Sequence, residues 1–174
     1  MISTIKAFLV IILLNFLFFQ ANAQKACKYE KNEIDAITEL KIRITQQIQI
    51  CKVNNAPFLI KAQSIGDRRY LKIRYYRYDN FSILPNTDFT FTFADNSSLD
   101  ISPRETKTDT ANTDNSFTAI SSMIVLPLSE QQFYKLLHFS VTKIKYYIPG
   151  GYEFKDIKES KQEDLKQILS CIED

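Results

Sequence analysis

The 174-residue chain carries 22 Lys and Arg against 20 Asp and Glu, a formal charge of +2 with its single histidine neutral. Nothing in that balance points to nucleic acid or an anionic membrane as partner. With only three glycines, Gly66, Gly150 and Gly151, glycine-rich phosphate loops of the dinucleotide and P-loop types are excluded.

The N-terminus reads as an export label. Lys6 is a short basic region, Ala7 to Phe19 is apolar apart from Asn15, and Ala21-Asn22-Ala23 gives the small-x-small cleavage pattern. Cleavage is expected between Ala23 and Gln24, making residues 1–23 a signal peptide. The apolar run is too short for a spanning helix, which needs about 20 such residues. Gln24 and Lys25 before Cys27 do not resemble a lipobox, so Cys27 is not expected to be lipidated. The remaining 151 residues (24–174) suffice for one domain with its own core, carry a charge of +1, and hold no further spanning run.

Alternation dominates the chain beyond the leader. In "LKIRITQQIQI" the apolar Leu40, Ile42, Ile44, Ile48 and Ile50 all fall on even positions, which predicts a strand with Lys41, Arg43 and Thr45 on its wet face. Phe58 to Ile65, a Gly66-Asp67 turn and Tyr70 to Tyr78 predict a hairpin. Further strands are expected at Asp88 to Ala94, from Leu99, at Phe117 to Leu126, at Val141 to Ile148 and at Tyr152 to Ile157. Ser129 with Gln132 fits a capping box opening a short helix, and Ser160 with Glu163 repeats it for a terminal helix of about 160–173. There Leu165, Ile168, Leu169 and Ile172 form one apolar stripe. Residues 104–116 contain no large apolar side chain and read as a mobile loop. The expected class is α+β, a mainly antiparallel sheet of about eight to nine strands, sandwich-like or an open barrel, with one short helix and a C-terminal helix packed on the sheet.

Chemistry is sparse in the pattern. His138 is the only histidine, so any imidazole mechanism must use it, and its place at a helix end suits a capping role. Cys27, Cys51, Cys171 and His138 are possible zinc ligands by type but lack close-spaced pairs. No metal site, cofactor or catalytic residue is assigned, and hydrolysis is a minor alternative. "RRYLKIRYYRY" (68–78) is the binding candidate: Tyr70, Arg74, Tyr76 and Tyr78 share a face with Lys72, opposite Leu71, Ile73 and Tyr75. Such a ladder could stack a glycan or hold an anion. The competing reading is tyrosine rings and basic stems lying across sheet surface. Thr110 in "DTA" matches a short O-glycan acceptor pattern.

Cys27-Lys28-Tyr29, then Asn32-Glu33-Ile34-Asp35, and the closing "VTKIKYYIPGGYEFKDIKESKQEDLKQILSCI" resemble a group of small exported proteins of unknown function from Gram-negative bacteria. The resemblance implies a periplasmic or secreted, compact β-rich domain and transfers no activity. The expected function is therefore a non-catalytic binding or envelope-associated domain, with a glycan or an envelope protein as partner. Three cysteines leave three pairings open. Position favours Cys27 with Cys171, because a bridge there would hold both chain ends to the sheet, and the resemblance also favours a cysteine at each end. Cys51 is expected on the wet face unless the strand ends or bulges there, which would make it a buried thiol.

Overall fold

The computed structural model describes residues 26–53, 55–75, 81–109, 123–148 and 150–173. All strand pairing among them is antiparallel. The larger sheet holds β1 (Tyr29–Ile34), β2 (Lys41–Thr45), β3 (Ile48–Val53), β4 (Ala56–Ile65), β5 (Arg68–Arg74) and β10 (Ile124–Leu128). A four-stranded sheet runs in the order β12 (Gly151–Asp156), β11 (Val141–Ile148), β7 (Phe89–Phe93) and β8 (Ser98–Ile101). Strands β6 (Phe81–Ile83) and β9 (Lys107–Asp109) pair separately. The strands therefore exceed the expected eight to nine, and β9 occupies part of the segment expected to be loop.

The hairpins follow their alternation. In β4 and β5, Phe58, Ile60, Ala62, Leu71 and Ile73 are fully buried, with Ile60 opposite Ile73 and Ala62 opposite Leu71. Gly66 turns the chain with φ +53°, a conformation that glycine adopts without steric cost. The two larger sheets meet through aromatic rings. Phe58 stacks on Tyr75 at 5.1 Å between centroids, and Tyr146 of β11 sits edge-on to them at 5.6 and 5.3 Å. Pairs of this geometry add about 0.5–1.5 kcal/mol each beyond their buried area. The buried tyrosines satisfy their hydroxyls: Tyr75 donates to the Tyr147 carbonyl and Tyr146 to Glu153 Oε2, both at 2.6 Å.

Helix α1 (Glu130–His138) opens on the expected capping box, Ser129 Oγ accepting from the Gln132 amide and Gln132 Oε1 from the Ser129 amide. Helix α2 (Glu159–Ser170) corrects the second box. It begins at Glu159, so Ser160 lies inside the first turn, and the N-cap residue Lys158 makes no side-chain cap bond. Its apolar stripe docks as expected: Leu165, Ile168, Leu169 and Ile172 are at most 6% exposed, worth about 6–12 kcal/mol as an upper bound.

Strand β2 overturns its expected face. Arg43 is 7% and Thr45 1% exposed, whereas Ile42 and Ile44 are only half-buried. Two causes act together. The chain breaks at Gln46-Gln47, and the register against β4 shifts between β2 and β3 and again between Gln49 and Cys51. Odd residues of β2 thus share the covered side with Ile50. The end of α2 then lies over that side. The Arg43 guanidinium donates to the Glu173 carbonyl at 2.9 Å, the Ile172 carbonyl at 3.3 Å and Ser64 Oγ at 3.3 Å.

Candidate functional site

The edge strands β3 and β12 belong to different sheets, and a cleft of about 580 Å³ opens between them beside the first turn of α2. Strand β3 contributes Gln49 through Lys52, and Asn55 follows. Lys155 and Asp156 come from β12, and Lys158 and Lys161 from the start of α2. Four lysines thus face one acid. Lys161 is paired with Asp164 at 2.8 Å, and Asp156 lies 3.7 Å from Lys143. Among the described residues, Lys52, Lys155 and Lys158 make no ion pair. The N-terminus of α2, where Lys158 makes no side-chain cap bond, brings the positive end of the helix dipole to the same place. This concave, cationic surface suits an anion.

Cys51 stands in the cleft wall. The bulge at Gln49/Cys51 turns it away from the wet face, leaving it half-buried and free of a disulfide. Burial pushes its thiol up to about 11, and the positive charge of Lys155 only partly opposes this. The thiolate fraction below pH 9 is therefore about a hundredfold lower than for an ordinary thiol. Iodoacetamide at pH 8 should modify Cys51 about a hundred times more slowly in the folded protein than after denaturation, with the rate rising tenfold per pH unit. Equal rates in the two states would contradict the buried placement.

The other residues singled out from sequence are distributed elsewhere. Cys27 and Cys171 lie at disulfide distance, with Sγ atoms 2.08 Å and Cα atoms 5.5 Å apart. Tyr70 and Arg74 are half-buried on the outer face of the larger sheet with Lys72, opposite buried Leu71, Ile73 and Tyr75. Burial, then the neighbouring charge of Lys61, lowers the Lys72 pKa. At one end of this face Tyr70 borders a smaller cavity of about 260 Å³ with Arg104, Glu105 and Lys107. Tyr76, Tyr78, Thr110, Ala23 and Gln24 lie outside the described residues. His138 is exposed at the end of α1, its ring 4.2 Å from that of Tyr134.

Among the described residues no group of three or more His, Cys, Asp and Glu side chains could hold a metal ion, and no helix is long and apolar enough to cross a membrane. No known protein family, curated protein or solved structure matches the chain. The lysine cleft went unread in the sequence because its walls come from distant segments. A local signal existed: Lys155, Lys158 and Lys161 recur every third residue around the start of a helix.

Proposed function

We propose that the protein is an exported, non-catalytic binding domain that holds an anionic ligand in the lysine cleft between β3, β12 and α2. The observation that carries this reading is the convergence of three unpaired lysines, among the described residues, on a cavity at a helix N-terminus without a side-chain cap bond. Like charges gathered in a concavity repel one another, and a bound anion relieves that repulsion. Export rests on the leader and on the resemblance to small exported proteins, and a cysteine pair at disulfide distance is compatible with it.

Calorimetric titration with pyrophosphate and with a sulfated oligosaccharide tests the site. At least one should bind, with affinity falling as salt rises. Replacing Lys52 and Lys158 together by alanine should weaken it about five- to tenfold, since exposed charge pairs contribute about 0.2–1 kcal/mol each. Absence of binding by both probes at millimolar concentration would overturn the assignment. Affinity unchanged in the double variant would do the same.

The Tyr70–Arg74 face supplies a second reading, glycan or anion binding at the smaller cavity beside Arg104. Loss of binding in Tyr70→Ala with the lysine variant unaffected would favour it.

A further inference from the structure

Among the described residues, strand β12 is hydrogen-bonded to a neighbour on one side only. It pairs along its whole length with β11 and ends the four-stranded sheet. All six residues of "GYEFKD" are exposed, including Tyr152 at 57% and Phe154 at 53%. Their rings cluster with Tyr147 on the outer face, Tyr152 lying 6.2 Å from Tyr147 and 5.7 Å from Phe154. An unpaired edge carrying large apolar groups is a template for another strand.

The charges decide which strand fits. Tyr152 and Phe154 point to one face, Glu153 and Lys155 to the other. An acidic strand would meet Glu153, and a basic one would meet Lys155. A fitting partner carries an acid and a base two residues apart, in reversed order, with aromatic residues between and beside them. The same strand from a second copy, laid antiparallel, meets that description. With a two-fold axis at Phe154, Phe154 faces Phe154, each Glu153 faces the other copy's Lys155, and each Tyr152 faces Asp156. Glu153 is already held in place by the Tyr146 hydroxyl at 2.6 Å. We infer that β12 is a homodimerisation edge, joining two four-stranded sheets into one sheet across a two-fold axis.

Sedimentation equilibrium of the purified chain at low salt tests this. The wild-type chain should dimerise. Glu153→Lys and Lys155→Glu singly place like charges opposite one another twice across the axis, so each should raise the dimer dissociation constant about tenfold or more. The double swap E153K/K155E restores opposite pairing and should restore the dimer. Lys155 also lines the lysine cleft but Glu153 does not, so loss of the dimer in E153K, with anion binding retained through Lys52, Lys155 and Lys158, separates this inference from the proposed function. Circular dichroism of each variant confirms folding. A wild-type chain that stays monomeric at on the order of 0.1 mM, about a hundredfold above a micromolar dissociation constant, would overturn the inference. So would single variants that dimerise as wild type, or a folded double swap that stays monomeric.

Discussion

Cys27→Ser combined with Cys171→Ser should lower the unfolding free energy by about 5 kcal/mol. The two residues are 144 apart in sequence, and releasing a loop of that length returns about 5 kcal/mol of conformational entropy to the unfolded state. Native contacts act in the same direction. Strand β1 is an edge strand, mostly exposed, and pairs only with β2. Besides that pairing, Glu30 pairs with Lys61 of β4, and the Tyr29 hydroxyl donates to the Cys171 carbonyl at 2.8 Å. Without the bridge, this hydrogen bond is what ties the first strand to the end of α2 among the described residues. Urea unfolding should show a lower midpoint and a steeper slope, because the unlinked chain exposes more surface when unfolded. A loss below about 1 kcal/mol would mean that the bridge does not restrain the unfolded ensemble.

The parts of the fold that were legible in sequence are those decided by neighbours. The β4–β5 hairpin follows from alternation on both sides of Gly66, and β11 spans Val141–Ile148 as expected. Helix α1 starts where Ser129 and Gln132 place it, since both partners of a capping box lie within one turn. The same device failed at Ser160, because a matching spacing does not choose between adjacent start residues. Strand β1 left little trace: its burial is slight, so "YEKNEI" has no apolar face to alternate.

Tertiary contacts decided the rest. The cleft needed β3 and α2 to come together across about a hundred residues of chain, and no local pattern contains that distance. Cys51 shows how a single inserted residue acts. One bulge beside it moved a side chain from the wet face into a cleft wall, as a one-residue slip must in a structure of period two. On β5, by contrast, the expected faces are those seen for Tyr70 to Tyr75, because the strand is flanked on both sides by regular pairing with β4 and β10.

Arg43 is the sharpest departure from its pattern, and it carries the second large effect. Alternation assigns it to solvent, yet it is 7% exposed and donates to two carbonyls beyond the end of α2 and to Ser64 Oγ. Carbonyls just past the end of a helix have no intrahelical donor, and a cation there also complements the negative end of the dipole. Arg43→Ala removes these donors together, leaves Ser64 without that partner at 1% exposure, and opens space under the helix end. A loss of about 2–4 kcal/mol is expected, a fall in Tm of about 4–16 °C for a chain of this size. Arg43→Lys should recover only part of it, because an ammonium lacks the planar fork that serves several acceptors. Arg43 bonds Ile172, the neighbour of Cys171, so both fasten the same chain end to the larger sheet. A cycle combining Arg43→Ala with the cysteine double variant should therefore be non-additive by more than about 0.5 kcal/mol. An Arg43→Ala chain within about 0.5 kcal/mol of wild type, unfolding additively with bridge removal, would show that the helix end holds without this side chain.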